Sequence, residues 1–261
     1  MPIRRLLVAN RGEVALRVLR TARDRGLGTV ALTTADEPDA RHVELADEHR
    51  VLAGTGPRAW LDPAAVVEAA VDAGADAVHP GWGFLAEAPA LALACAEAGL
   101  IFVGPDADTL DLLGDKVRAR DLARRCGIGV VDGLGGPVDA ATVAAFAERV
   151  GYPVVVKAVA GGGGRGLRVV HGPDGIDEAL ARASSEARAA FGSGDLYVER
   201  LVPRPRHVEI QVAGDASAAV TLGERDCSLQ RRHQKLLEAA PVRGWAAAVA
   251  AELHAAARRL T

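Results

Sequence analysis

The sequence has 261 residues, of which 25% are charged, and a formal net charge of −3. This length allows one or two domains, and the charge balance gives no reason to expect nucleic acid or an anionic membrane as a partner. No apolar run reaches the length of a signal peptide or a membrane span. Three widely spaced cysteines without a C-x-x-C pair favour reduced thiols, and therefore a cytoplasmic protein.

Short apolar runs alternate with helical patterns over the first hundred residues. Strands are predicted at residues 5–9, 29–33, 75–78 and 100–103, and helices at residues 12–25, 63–73 and 87–98. Such βαβ units predict a parallel, doubly wound sheet. The loops at residues 10–13 and 79–84 then lie at the carboxyl ends of strands, where these sheets place ligands. Turn chemistry at Pro80 and Gly81 explains the second loop equally well.

The remainder of the chain is less regular. Helices are predicted at residues 106–113, 115–125, 140–150, 174–190 and 246–260, and strands at residues 196–201, 206–212 and 218–222. In the strand at residues 206–212 we expect Val208, Ile210 and Val212 to face the core, with His207 and Glu209 on a polar face open to a cleft. Residues 223–236 are strongly charged, too much so for a core. A solvated loop is one interpretation, but so many charges beside a strand hairpin are expected to need a ligand or each other.

Residues 152–170 form the most informative stretch. A β-branched run leads into Lys157, four glycines follow, and a second apolar run begins after Gly166. This pattern predicts strand, loop and strand, and a glycine loop beside a lysine suits a polyanionic phosphate. Since no G-K-[ST] follows and no helix begins there, it is neither a P-loop nor a dinucleotide turn. A flexible hairpin tip is the alternative interpretation.

Lysine is rare in this sequence. Of 31 basic residues only three are lysine, namely Lys116, Lys157 and Lys235. An ammonium is a compact point charge that grips phosphate, whereas guanidinium is a wide planar fork. Lysine at these three positions therefore favours anion chemistry, although three residues could also be there by chance.

Six segments resemble the biotin carboxylase subunits and domains of the ATP-grasp superfamily. They are ANRGE at residues 9–13, HPGWGFLAE at 79–87, GDK at 114–116, VKAVAGGGGRG at 156–166, PRHVEIQV at 205–212 and ERDCSLQRRHQK at 224–235. They occur in the family's order and span nearly the whole chain. Trp82 and Ala86 depart from the family's commonest pattern, which has Tyr and Ser there.

The resemblance implies an α/β fold with three parts. A Rossmann-like parallel-sheet domain is expected at residues 1–104, followed by a helical connector at 105–128. An ATP-grasp lid with its glycine loop is expected at residues 129–202. Residues 203–261 are expected to begin a C-terminal ATP-grasp domain that stays incomplete.

The resemblance also implies the site. Lys235 is expected to hold bicarbonate, and Trp82 to lie on a loop near biotin. ATP is expected to contact two phosphate lysines, two glycines of the closing loop, the adenine-binding segment and three further polar residues: Lys116, Lys157, Gly163, Gly164, Glu199, Arg200, Leu201, Val202, His207, Gln230 and His233. No metal ligand is recognisable, because the positions that bind Mg²⁺ in the family lie beyond the equivalent of Thr261.

The function implied is ATP-dependent carboxylation of carrier-bound biotin by bicarbonate through carboxyphosphate, as part of an acyl-CoA carboxylase. ATP, Mg²⁺ and biotin are the expected cofactors, and a biotin carboxyl carrier protein, a carboxyltransferase and a second copy of the chain are the expected partners. The chain is expected to be inactive alone because it is short. Pyruvate or urea carboxylase, another ATP-grasp ligase and a non-catalytic nucleotide-binding remnant stay open as alternatives.

Overall fold

The computed structural model describes residues 2–160, 165–215, 217–231 and 234–261. The chain divides into two compact units, which meet in sequence between Gly114 and Asp115. None of the helices in the described part combines the length and the apolar character that crossing a bilayer requires.

The first unit alternates strands and helices. In chain order they are β1 (Arg5–Val8), α1 (Gly12–Asp24), β2 (Gly28–Thr34), α2 (Arg41–Leu45), β3 (Glu48–Leu52), a 3-10 turn (Pro57–Leu61), α3 (Pro63–Asp72), β4 (Ala77–His79), α4 (Pro89–Glu97), β5 (Ile101–Phe102) and α5 (Ala107–Gly114). The strands form one five-stranded sheet in the order β3-β2-β1-β4-β5. Every pairing in it is parallel. The predicted parallel sheet is therefore confirmed.

Helices cover both faces of this sheet. Leu6 and Val8 on β1 belong to a core cluster with Leu19 of α1, whereas Leu7 belongs to a second cluster with Val66 of α3. Because successive side chains on a strand point to opposite faces, each face packs its own core. The strand order reverses between β1 and β4, which makes the carboxyl ends of these two strands the topological switch point.

The second unit begins with helix α6 and contains two sheets. Its elements are α6 (Lys116–Arg125), β6 (Gly133–Leu134), α7 (Ala140–Val150), β7 (Val154–Ala158), β8 (Arg168–Val170), a 3-10 turn (Pro173–Gly175), α8 (Ile176–Phe191), β9 (Leu196–Arg200), β10 (Val208–Gly214), β11 (Ala219–Arg231), β12 (Gln234–Ala239) and α9 (Ala247–Leu260). The first sheet has the order β6-β9-β7-β8 and the second β10-β11-β12. The finer division of this unit at residues 129 and 203 stays a prediction.

One face of the four-stranded sheet is buried against α7 and α8. Val154 and Val156 of β7 and Val198 of β9 pack against Phe146 of α7 and Ala183 of α8. All five residues are at most 1% exposed. The intervening residues of β7 and β9 therefore point to the face that α7 and α8 leave uncovered.

Of the two interpretations of residues 223–236, the solvated loop is wrong, whereas the expectation that these charges pair with one another is supported. Strand β11 extends to Arg231 and β12 follows from Gln234, so most of this segment lies in an antiparallel sheet. The charged residues are accommodated because they pair across strands, as Glu209 on β10 does with Arg225 on β11. Val208, Ile210 and Val212 are only half-buried, and a register shift between Ile210 and Val212 interrupts the predicted alternation.

Candidate nucleotide and anion sites

Lys157 lies on the face of the four-stranded sheet opposite α7 and α8. It is the fourth residue of β7, directly opposite Tyr197 of β9, and Glu199 is two residues further along β9 on the same face. Val156 and Val198 face the core formed with α7 and α8. Because side chains alternate along a strand, Lys157, Tyr197 and Glu199 therefore lie together on the other face. The sequence pattern V-V-V-K thus carries the lysine out of the core.

A single carboxylate joins two cations on this face. Glu199 accepts a hydrogen bond from Lys157 on Oε1 and one from Nη1 of Arg120, at 2.6 Å, on Oε2. Arg120 comes from α6, and its guanidinium carbon lies 5.8 Å from the centre of the Tyr197 ring. Burial raises the pKa of the Tyr197 hydroxyl, and the negative charge of Glu199 adds to this. The face therefore carries one more positive than negative charge.

Lys116 lies on the same side of α6 as Arg120. The carboxylate of Asp115 caps α6 by accepting from the backbone N–H groups of Val117 at 2.8 Å and Arg118 at 3.0 Å. This cap fixes the start of the helix, so Lys116 is its first residue and Arg120 stands one turn later. Residues four apart share a helix face, and Arg120 faces Glu199. Both predicted phosphate lysines thus belong to the second unit, Lys116 at the start of α6 and Lys157 on β7.

The predicted adenine-binding segment is the end of β9 and the two residues after it. Glu199 and Arg200 are the last residues of the strand. The backbone N–H of Arg200 donates to the backbone carbonyl of Asp132 at 2.8 Å. Leu201 leaves the strand, and the Val202 side chain is 40% exposed. An exposed apolar side chain just past a strand end, next to the start of β7, suits a flat heterocycle.

The three-stranded sheet brings together three more predicted site residues. Gln230 donates from Nε2 to Nδ1 of His207 at 2.7 Å, so the other ring nitrogen of His207 carries the proton. That nitrogen, Nε2, lies 3.2 Å from Oε1 of Glu209. Lys235 reaches the same carboxylate from β12. His207, Gln230 and Lys235 are therefore parts of one network centred on Glu209.

The charged groups of this network shift one another's pKa values. Burial raises the pKa of the Glu209 carboxyl, but the hydrogen bond and charge of Lys235 outweigh burial, so the pKa lies below its ordinary value. The hydrogen bond to Glu209 in turn raises the pKa of the Lys235 ammonium. Arg225 donates to the other carboxylate oxygen of Glu209, Oε2, at 3.2 Å. Lys235 is thus held firmly in its charged form.

Trp82 lies in the first unit, at the switch point of the parallel sheet. A pocket of about 610 Å³ opens there between the loops that follow β1, β2 and β4. Asn10 ties two of these loops together, since its Nδ2 donates to the carbonyls of Pro80 at 2.7 Å and Trp82 at 2.9 Å. Its Oδ1 accepts from the backbone N–H of Arg11 at 2.9 Å. The Trp82 side chain itself is 59% exposed and available to a ligand.

Family models cover both units of the chain. The model described as biotin carboxylase, N-terminal domain, matches residues 2–110. The model described as carbamoyl-phosphate synthase L chain, ATP binding domain, matches residues 115–261, which is more than half of the chain. The chain belongs to the biotin carboxylase family.

Individual relatives agree with this. The chain is 46% identical over 247 residues to the biotin carboxylase of Haemophilus influenzae, a match that covers 93% of this chain and 55% of the relative. It is 45% identical to the pyruvate carboxylase of Bacillus subtilis, over 92% of this chain and 21% of that one. The chain thus spans about half the length of a biotin carboxylase relative.

A solved structure shows the fold of the family. The biotin carboxylase domain of the Hydrogenobacter thermophilus 2-oxoglutarate carboxylase, a dimer crystallised with MgADP, ADP and bicarbonate, matches with a TM-score of 0.96 and 39% identity. The match covers 100% of this chain and 58% of that domain. The mixed α/β fold with a parallel-sheet N-terminal domain and part of an ATP-grasp domain is confirmed.

Not every predicted residue can be placed. Gly163, Gly164 and His233 lie outside the described residues, and so does the glycine loop at residues 161–164 for which a flexible hairpin tip was the alternative interpretation. Within the described ranges, no three His, Cys, Asp or Glu side chains form a group that could hold a metal ion. The described residues therefore offer donors for the phosphates of a nucleotide but no recognisable cage for its Mg²⁺.

Sequence reasoning missed two residues that organise these sites. Arg120 was not singled out, although its spacing of four from Lys116 on a predicted helix was the available signal. Glu209 was placed on the polar face of its strand with His207, but its role as the centre of the network was not foreseen. In both cases the partners come from distant parts of the chain, 79 residues apart for Arg120 and Glu199.

Proposed function

We propose that this chain forms the ATP-binding part of a biotin carboxylase, which uses ATP and bicarbonate to carboxylate biotin on a carrier protein. The observation that carries the proposal is that Lys157 and Arg120 bind the two carboxylate oxygens of Glu199 on one face of the four-stranded sheet, so that these three side chains carry a net positive charge. A polyanion is the natural ligand for such a face, because hydrogen bonds between charged groups contribute about 1.5–3 kcal/mol each.

ATP would supply the phosphoryl group that activates bicarbonate as carboxyphosphate. In this proposal Lys116 and Lys157 bind its phosphates and Gly163 and Gly164 close over them. The segment Glu199, Arg200, Leu201 and Val202 meets the adenine, and His207, Gln230 and His233 complete the nucleotide site. The MgADP bound by the Hydrogenobacter thermophilus domain supports this choice of ligand and its Mg²⁺.

Lys235 is proposed to hold bicarbonate. It lies in the three-stranded sheet and Lys157 in the four-stranded sheet, and in this proposal the two lysines bind different anions. The bond to Glu209 keeps Lys235 charged, and a bound anion would share the ammonium with that carboxylate. The bicarbonate in the Hydrogenobacter thermophilus domain supports an anion site in this fold.

The wider assignment follows the relatives. Matches at 46% and 45% identity include a biotin carboxylase and a pyruvate carboxylase, so the proposal covers an acyl-CoA acceptor first and pyruvate second. A biotin carboxyl carrier protein and a carboxyltransferase are the proposed partners, with Trp82 on the side of biotin. A homodimer is proposed from the dimer in the solved relative, and the cytoplasm is the proposed compartment, where fatty acid metabolism takes place.

The test is a titration of the purified chain with ATP in the presence of Mg²⁺. Lys157→Met should weaken binding about 10- to 100-fold, because it removes a charge-assisted phosphate contact. Lys157→Arg should restore it only in part, since a planar fork replaces a compact charge. Lys235→Met should weaken ATP binding less than Lys157→Met does, because Lys235 is assigned to bicarbonate and would act on ATP only through the Glu209 network that it shares with His207.

Arg182→Met is the matched control. Arg182 is an exposed residue of α8 whose ion-pair partner is Glu178, one turn away, and its loss should leave ATP binding unchanged. Circular dichroism of each variant checks that it is folded. Wild-type chain that binds no ATP at millimolar concentration, or equal affinity in wild type and Lys157→Met, would refute the proposal.

A further inference from the structure

Arg120 is held in place by three groups of the second unit. Its guanidinium donates to Glu199 and to the backbone carbonyl of Val131, and it lies over the ring of Tyr197. Only 17% of the Arg120 side chain and 13% of the Glu199 side chain are exposed. These three groups fix the conformation of the Arg120 side chain, and the ion pair with Glu199 is largely shielded from water.

Gly133 leaves the space that Arg120 occupies. A Cβ atom built at Gly133 would lie 2.6 Å from Nη2 and 2.8 Å from Nη1 of Arg120, and 2.8 Å from the carbonyl oxygen of Val198. Real Cβ atoms do not approach other atoms this closely, so the strand next to β9 admits the guanidinium only because residue 133 lacks a side chain. The position of Arg120 is thus built into the sheet.

The electrostatic environment that an anion meets at Lys157 depends on this arginine. Lys157 and Glu199 alone form a neutral pair, and a phosphate that approached it would meet the carboxylate as well as the ammonium. Arg120 binds the other oxygen of Glu199 and offsets its charge. With Arg120 in place, the three side chains carry one net positive charge, which is then available to an anion at Lys157. Lys157 is the most exposed of the three, at 28%.

We infer that Arg120 is a positioning residue for ATP: it neutralises Glu199 so that Lys157 stays available to the phosphates. The inference rests on the proposed function, since it requires that Lys157 binds phosphate. A purely structural role is the alternative, in which Arg120 only ties α6 to β9. The two differ in what they do to phosphate, because loss of a structural tie weakens adenosine and ATP alike, whereas loss of charge compensation weakens ATP alone.

The experiment measures ATP and adenosine affinity for four variants of the full chain. Arg120→Met should weaken ATP about 10-fold, as expected for one partly shielded charge, and adenosine less than about 2-fold. Arg120→Lys should bring ATP affinity back to within about 3-fold of wild type, because it restores the charge without the fork. Glu199→Gln removes the carboxylate that Arg120 offsets, and its own ATP affinity is the reference for the double variant.

The double variant Arg120→Met/Glu199→Gln is decisive. With no carboxylate to offset, the loss caused by Arg120→Met should shrink to less than about 2-fold relative to Glu199→Gln alone, which is the signature of coupled residues. Arg124→Met is the control on the same helix, since Arg124 pairs only with Asp121 among the ion pairs of the described residues. It should change neither affinity.

Three results would overturn the inference. They are equal losses of ATP and adenosine binding in Arg120→Met, no recovery in Arg120→Lys, and an undiminished loss in the double variant. If Arg120→Met does not fold, the comparison of Arg120→Lys with wild type and of the double variant with Glu199→Gln still decides. Failure of the proposed function itself looks different, because wild-type chain would then bind no ATP.

Discussion

Replacing Asn10 with aspartate exchanges the side-chain nitrogen for an oxygen. It should break the hydrogen bonds that join the loops after β1 and β4. Asn10 is 1% exposed, and its Nδ2 donates to the carbonyls of Pro80 and Trp82 at 2.7 and 2.9 Å. In Asn10→Asp a carboxyl oxygen takes the place of this nitrogen. It would face two carbonyl oxygens at hydrogen-bond distance without donating to either.

The expected cost follows from these hydrogen bonds. Each one that is removed costs about 0.5–1.5 kcal/mol, and a buried acceptor left without a donor costs about 1–3 kcal/mol. For two carbonyls that share one buried site, Asn10→Asp should lower the free energy of unfolding by about 3–5 kcal/mol at pH 8. Asn10→Ala should cost less at that pH, because it removes the donor without adding a charge.

The pH dependence distinguishes the charge from the missing hydrogen bonds. Burial beside two carbonyls favours the protonated acid, so the introduced carboxyl should have a pKa in the folded chain above its value in the unfolded chain. The protonated form can also donate to one carbonyl. Its stability contribution is therefore present at low pH and lost as pH rises through the folded pKa. Asn10→Asp should be less destabilised at pH 5 than at pH 8.

Urea denaturation of the first unit provides the measurement. Trp60 is 2% exposed and belongs to the core of that unit, and substitution of Trp82 and Trp245 by Phe makes it the only tryptophan reporter. Gln211→Glu is the control, since it makes the same change of amide to acid at an exposed position. Equal stability of Asn10→Asp and wild type at pH 8, or equal destabilisation at pH 5 and pH 8, would refute the reasoning.

Two further predictions concern a glycine and the cysteines. Gly81 has φ +66°, and a Cβ there would meet Val14 and lie 2.8 Å from Nδ2 of Asn10, so Gly81→Ala should cost about 2–4 kcal/mol in urea denaturation. Gly83→Ala, with φ +75° and no atom within 4 Å of the added Cβ, should cost only about 1–2 kcal/mol, and the reverse order would contradict the packing. Iodoacetamide at pH 8 should label the partly exposed Cys126 first, because Cys95 is buried with a pKa raised to about 11 and the pKa of the buried Cys227 thiol is raised as well. Peptide mapping that finds Cys95 labelled first would contradict this.

The sequence predicted the parts of the fold whose side chains are sorted by polarity. The parallel sheet was predicted correctly because β1, β2 and β4 each contain a buried apolar run, at residues 6–8, 30–32 and 77–78, as strands covered on both faces do. Strand β3 was missed because Glu48–Leu52 begins with three polar residues and only Leu52 is buried. An edge strand needs no apolar run, so periodicity alone does not detect it.

The site was predicted residue by residue but not as a connected network. Lys157, His207, Gln230 and Lys235 were named from the sequence, and the structure joins the last three through Glu209. The sequence indicated that the charges of residues 223–236 need a ligand or each other, but a single sequence does not show which partners they have. Those partners lie on neighbouring strands, where Arg225 bonds to Gln211 at 2.8 Å and to Glu209. Cross-strand pairing of this kind depends on register, which local patterns do not determine.

The alternation along β7 and β9 restricts how this gene can change length. Core residues and charged residues alternate along these two strands. Val156 and Val198 lie on one face of the sheet, and Lys157 and Glu199 lie on the other. One codon inserted into or deleted from either strand would exchange the sides, bury the ammonium among Phe146 and its neighbours, and turn the valines towards water. Point substitutions can therefore tune the charged face one position at a time, whereas in-frame insertions and deletions should be tolerated only outside Val154–Ala158 and Leu196–Arg200.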